Sequence, residues 1–187
     1  MAQNITGPLG MADTVFVTDG LDHRVAGMHR HGEAGIEAID RFPSAPLLYG
    51  GGGLHSTAPD YLKFLRAVMA EDGGGVFGPG VLAGLREPAV TIGAPGDLIS
   101  SAPAMSRDFR PLPGAPKSWT LGFLRTEADT PGLRRAGSLA WGGIANCYYW
   151  ADPASGVAGM MCAQLLPFAD PALMGAFERF ERAVYAA

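Results

Sequence analysis

Cysteine is almost missing from this sequence: Cys147 and Cys162 are the only two. A disulfide scaffold and a cysteine-built zinc site are therefore excluded. Long apolar runs are missing too, so no segment reads as a membrane span. Basic runs are absent. Lys and Arg number 14 against 18 Asp and Glu, a formal net charge of -4. A surface for nucleic acid or an anionic membrane has no support in that charge pattern. The stretch Met1 to Gly10 lacks a basic n-region and an apolar h-region, so no signal peptide is read there. A cytoplasmic chain is expected if Met1 is the natural start.

Turn formers and apolar residues are plentiful. The 27 Gly and 15 Pro predict many turns and long connections. Hydrophobic types make up 48% of the chain, enough to build a core. Residues 1–50 read mostly as loop and short helix, with turn signals at Thr18-Asp19-Gly20 and Pro43 to Pro46. A helix is predicted from Thr57, with Ser56 or Thr57 as cap, Pro59 in the first turn and Asp60 three residues after Thr57. Tyr61, Leu65 and Val68 give it an apolar face, and Gly73-Gly74-Gly75 ends it. A short helix is predicted near Val81 to Leu85, followed by a Pro-rich surface excursion to residue 118.

From Trp119 the pattern turns to strands. Trp119 to Thr126 and Leu133 to Ala136 are predicted strands. Ile144 to Ala151 and Val157 to Gln164 are predicted to form a hairpin around Asp152-Pro153-Ala154-Ser155-Gly156. A terminal helix is capped by Asp170 and opened by Pro171, with Leu173, Phe177, Phe180 and Val184 at helical spacing. These elements describe an antiparallel sheet with a helix on one face.

The glycine run Gly50 to Gly53 is followed by Leu54-His55-Ser56. It lacks the Gly-Lys-Ser/Thr ending of a phosphate-binding loop and reads as a backbone bend. His23, His29 and His31, beside Arg24 and Arg30 with Glu33 nearby, have no third-ligand spacing and read as a solvated loop. His55 follows the glycines without a nucleophile to serve.

Four segments, in order, resemble the serine β-lactamase-like superfamily, closest to its class C branch and related esterases. Pro8-Leu9-Gly10-Met11 with Asp13-Thr14-Val15-Phe16 resembles a PLGM-x-DT-x-F segment. GGGGLHSTAPDY, residues 50–61, resembles GGGGL-x-ST-x-x-DY. Trp119 to Phe123 resembles a GLGF strand. Gly137 to Pro167 resembles the GWGG, YFW-x-DP and MTQ-x-x-P strands of the esterase-like members. The resemblance covers nearly the whole chain.

It implies an α/β (α+β type) fold of β-lactamase/transpeptidase and penicillin-binding-protein type, here incomplete: an antiparallel sheet flanked by helices, plus part of a helical region. Residues 1–118 would be the end of the helical region and its connections. Residues 119–187 would be the later sheet strands and terminal helix. The implied chemistry is that of an esterase or β-lactamase, working through an acyl-enzyme on serine. No cofactor and no metal are implied.

The chain lacks that chemistry's first motif, a Ser-x-x-Lys. Lys63 is preceded three residues earlier by Asp60, and Lys117 by Gly114. No Tyr is followed two residues later by Asn, and no Gly-x-Ser-x-Gly occurs. The chain is therefore expected to be an inactive C-terminal part of a serine hydrolase, or a binding module derived from one. The resemblance places Trp141-Gly142-Gly143 where the family carries Lys-Thr-Gly. Trp141, Gly142, Gly143 and Ile144 are accordingly the candidate substrate-binding residues, with the Ile144 N–H as oxyanion donor. Trp141 brings no positive charge, which favours ester or other acyl substrates over a carboxylate-bearing β-lactam. Ala140, and Asn146-Cys147, depart from the family pattern. The implied partners are a small acyl substrate and either a second copy or a complementary fragment. Cys147 and Cys162 flank the predicted hairpin almost symmetrically, which would set them opposite one another, roughly within the reach of a disulfide; buried free thiols are the default reading.

Overall fold

The computed structural model describes residues 1–41, 51–90 and 98–187. Gly50, the Pro43–Pro46 turn and part of the Pro-rich stretch lie outside the described residues. In chain order the elements are β1 (Met28–Gly32), β2 (Gly35–Ile39), α1 (Ala58–Met69), α2 (Pro79–Arg86), β3 (Lys117–Trp119), β4 (Leu124–Thr126), β5 (Leu139–Gly143), β6 (Cys147–Asp152), β7 (Val157–Met161), β8 (Leu165–Leu166) and α3 (Pro171–Ala186). This is the expected mixed architecture: antiparallel sheets flanked by helices.

Strands β3 to β7 form one antiparallel sheet in sequential order, with β3 and β7 at its edges. Interior strand β6 is almost continuously apolar because both of its faces are covered. Tyr149 and Ala151 face α1, where Leu65 and Val68 pack with Leu139 and Phe123. Tyr148 and Trp150 face α3, against Phe177 and, for Trp150, Phe180. Burying large rings on both sides is the main apolar contribution to the fold. A smaller sheet, β2-β1-β8, pairs β1 with β8 in parallel and so ties residues 28–32 to the later strands.

Helix α1 starts as predicted: the Thr57 side chain accepts from the Asp60 N–H, with proline in the first turn. Its C-terminal carbonyls on Val68 and Ala70 accept from the Arg86 guanidinium, both at 2.7 Å, which fixes α2 against α1. Gly74 has φ 63°, and a Cβ there would run into Ala67, so the chain can double back after α1 only with glycine at this point.

Three sequence expectations are corrected. Residues 28–39 are a β-hairpin rather than loop, because their apolar pattern is weak and the pairing with β8 organises them. His29 and His31 therefore sit on a strand, and the His31 Nε2 lies 2.9 Å from Asp170. Trp119 to Thr126 is not one strand but two, β3 and β4. The Thr120 hydroxyl accepts from the N–H groups of Gly122 and Phe123 and reverses the chain there. Leu133 to Ala136 is not a strand: the Arg135 N–H donates to Asp152 and Arg134 turns inward to Glu181. The predicted hairpin is present as β6 and β7, while Ile144 to Asn146 form the preceding turn.

Asp152 closes the β6–β7 turn and is fully buried. Burial pushes its carboxyl up, but donors on Arg135 N–H, Tyr185 hydroxyl and Ser155 N–H outweigh it and hold it below its ordinary 3.8. A depressed folded-state value means the unfolded chain takes up the proton first. The stabilisation is complete above the ordinary value and is lost as pH falls through the lower, folded one. Urea midpoints measured from pH 7 down to pH 3 should therefore drop in the acid range. Asp152→Asn should be less stable at pH 7 and show a shallower acid slope; an unchanged slope would remove Asp152 from the cause.

Candidate functional site

The resemblance segments that are distant in sequence meet through Asp60, which is 3% exposed. Its carboxylate accepts from the Asp13 N–H at 2.7 Å, the Thr14 hydroxyl at 3.1 Å and the Lys63 ammonium at 2.7 Å. Burial raises the Asp60 carboxyl, and these donors more than offset it, leaving it below 3.8. Val15 and His55 exchange backbone hydrogen bonds alongside. The aspartates and threonine of the PLGM-x-DT and ST-x-x-DY segments are thus a structural clasp.

That clasp also engages Lys63 with Asp60 and the Gly10 carbonyl. Lys117 donates to the carbonyls of Leu112 and Ala115. Among the described residues, no serine hydroxyl is hydrogen-bonded to a lysine or histidine. Ser118 instead donates to Glu127, which Arg125 also engages. Tyr61 and Tyr149 pack with ring centroids 4.8 Å apart, and burial pushes both phenols above their ordinary value. Both stay protonated near neutral pH and neither is a ready general base.

The Trp141–Ile144 run ends β5. Trp141, Gly142 and Gly143 pair across to Tyr149, Tyr148 and Cys147. Trp141 is half-buried and meets Trp119 at 4.6 Å and Phe109 edge-on at 5.7 Å. The two glycines differ. A Cβ on Gly142 would press on the Tyr148 ring at 2.8 Å and on Phe168 at 3.2 Å, so packing alone demands glycine there. A Cβ on Gly143 would meet only Cys147, at 3.8 Å or beyond, which leaves this stretch of backbone open.

Ile144 opens the turn and is 43% exposed. Among the described residues its N–H meets no acceptor. The turn closes with the Asn146 N–H donating to the Gly143 carbonyl. Asn146 has φ 61°, a left-handed conformation that asparagine tolerates well, and is fully buried. Its Nδ2 donates to the carbonyls of Leu165 and Pro167, at 2.7 and 2.9 Å. Its Oδ1 accepts from the Tyr148 hydroxyl at 2.6 Å and the Asp170 N–H at 3.0 Å. With every polar position satisfied, Asn146 anchors the turn to β8 and to the start of α3. Sequence reasoning registered Asn146 only as a departure from the family pattern; its place beside a hairpin turn was the available signal.

A cavity of about 240 Å³ opens elsewhere, at the α1–α2 junction, among Glu71, Asp72, Phe77, Pro79 and Leu82. No group of His, Cys, Asp and Glu able to hold a metal occurs among the described residues. Among the described residues, no helix is long and apolar enough to cross a membrane.

Monacolin J acid methylbutanoyltransferase from Aspergillus terreus is 28% identical and is matched over 100% of this chain and 48% of its own length. A mutant of simvastatin synthase from the same organism superposes with a TM-score of 0.79 at 23% identity, over 99% of this chain and 48% of that one. EstCE1, a hydrolase with promiscuous acyltransferase activity, gives a TM-score of 0.65 at 20% identity, over 99% and 49%. The chain thus spans about half the length of the relatives it matches. The Beta-lactamase family model matches residues 1–183, and the chain belongs to that family.

Proposed function

We propose that this chain is one part of a serine enzyme that moves acyl groups, and that it supplies the wall and oxyanion donor but not the nucleophile. The Ile144 N–H, without an acceptor among the described residues and on a turn pinned by Asn146, carries this reading. A serine from the remainder of the enzyme would attack an ester carbonyl. The carbonyl oxygen would gain negative charge beside the Ile144 N–H, the alcohol would leave, and water or a second alcohol would take the acyl group. Trp141, with Trp119 and Phe109 behind it, gives the acyl chain an aromatic wall in place of a cationic one. The acyltransferase names of the relatives support an ester or acyl substrate over a β-lactam. Edge strand β7 has a single neighbour in its sheet and fits a requirement for a complementary segment or a second copy.

The chain alone should give no product burst with a p-nitrophenyl short-chain ester and no serine labelling by a fluorophosphonate. A stoichiometric burst would overturn the assignment of the nucleophile to another segment. Combined with a segment that supplies Ser-x-x-Lys, activity should appear. In that complex Ile144→Pro, which removes the N–H at a turn position where proline fits, should lower kcat by about 10²–10³. Ile144→Ala, which keeps the N–H, should stay near the parent rate. Equal rates for both variants would remove Ile144 from the reaction.

A further inference from the structure

Cys147 and Cys162 are both free; Cys147 opens β6 and Cys162 directly follows the end of β7. Tyr148 is directly opposite Met161 in the β6–β7 register, so one further step sets Cys147 opposite Cys162. Directly opposed residues on antiparallel strands have Cα atoms about 4.5–5.5 Å apart, inside the range a disulfide spans. Side-chain contacts keep the second strand beside Cys147 past the end of β7. The Cys147 thiol donates to the Ala163 carbonyl at 3.1 Å, and the Gln164 amide donates to the Cys147 sulfur at 3.7 Å. Cys162 is exposed and Cys147 half-buried, so the pair is open to solvent from one side.

We propose that Cys147 and Cys162 form a reactive dithiol site that closes reversibly to a cross-strand disulfide on meeting a low-molecular-weight disulfide. The hydrogen bond from the Cys162 thiol, working against burial, lowers Cys147 to about 7, while sharing the proton with Cys147 raises Cys162. Cys147 is therefore the attacking sulfur. Its thiolate attacks one sulfur of the small disulfide, forming a mixed disulfide and releasing one thiolate. The Cys162 sulfur then attacks Cys147 Sγ, its proton passes to the second departing thiolate, and the protein disulfide is complete. Two protein thiols are oxidised and one small disulfide is reduced to two thiols. The closed bond would fasten Cys147 to the second strand. Because Cys147 pairs with Gly143, it would also stiffen the base of the Ile144–Asn146 turn. The site stands independently of the acyl-transfer reading.

The test treats the chain with oxidised glutathione and follows it by intact mass and peptide mapping. The parent should lose both thiols, keep no glutathione, yield a Cys147–Cys162 cross-link and return to the dithiol with dithiothreitol. Cys162→Ser should instead retain glutathione on Cys147. As a second measurement that needs no oxidation, phenylarsine oxide should bind the parent one to one and bind neither Cys147→Ser nor Cys162→Ser. Two separate glutathione adducts on the parent, thiols that stay unreacted, or equal arsenical binding by the single variants would each overturn the proposal.

Discussion

Arg134→Ala is expected to lower the unfolding free energy by about 3–5 kcal/mol, read from urea midpoints at constant slope. Arg134 and Glu181 are 4% and 1% exposed. The guanidinium grips the carboxylate with two hydrogen bonds, Nε at 2.8 Å and the terminal nitrogen at 2.6 Å. Removing one partner leaves a carboxylate buried inside α3 without its counter-charge. The penalty is the desolvation of that lone ion, a large share of a total stability of about 5–15 kcal/mol. Glu181→Gln should fall on the same side with a smaller loss, because the amide still accepts one hydrogen bond. Replacing both residues together by apolar side chains of similar volume should restore much of the loss. If the double replacement is as unstable as Arg134→Ala, the paired charges themselves, and not the penalty of a lone buried carboxylate, hold the loop to α3.

Trp150→Ala should cost a similar amount, about 3–5 kcal/mol. Trp150 is fully buried, its indole N–H donates to the Tyr185 hydroxyl at 3.1 Å, and its ring lies between Phe177 and Phe180. Its partner across the strands is Gly159, and a Cβ there would overlap the Trp150 ring. Gly159→Ala alone should therefore cost about 1–3 kcal/mol by overpacking. The two changes compensate in volume, so the double variant should lose clearly less than the sum of the single losses. Additive losses would show that Gly159 is needed for its backbone and not for the space beneath the indole.

Helix starts were the most legible feature of this sequence. Thr57 and Asp170 cap α1 and α3 through their own side chains, an interaction closed within three residues. The β6–β7 hairpin was equally local, since Asp152-Pro153 and Gly156 mark its turn. The β1–β2 hairpin was not legible, because its strands gain their order from β8, more than a hundred residues away. The break between β3 and β4 hung on one hydroxyl, that of Thr120, and an apolar pattern does not register a single side-chain turn.

The same division runs through the candidate site. By itself the sequence determined the family resemblance, the absence of Ser-x-x-Lys, the caps, and the opposition of Cys147 and Cys162, all of which depend on residue type and short spacing. The tertiary structure alone decided that Gly142 is spoken for by the Tyr148 ring while Gly143 is open. It also decided that Asn146, seen in the sequence as a deviation, is the buried anchor of the Ile144 turn. Hydrogen-bond partners and close approaches of this kind come from segments far apart in the chain, and their positions are set only when both faces of the sheet have been covered.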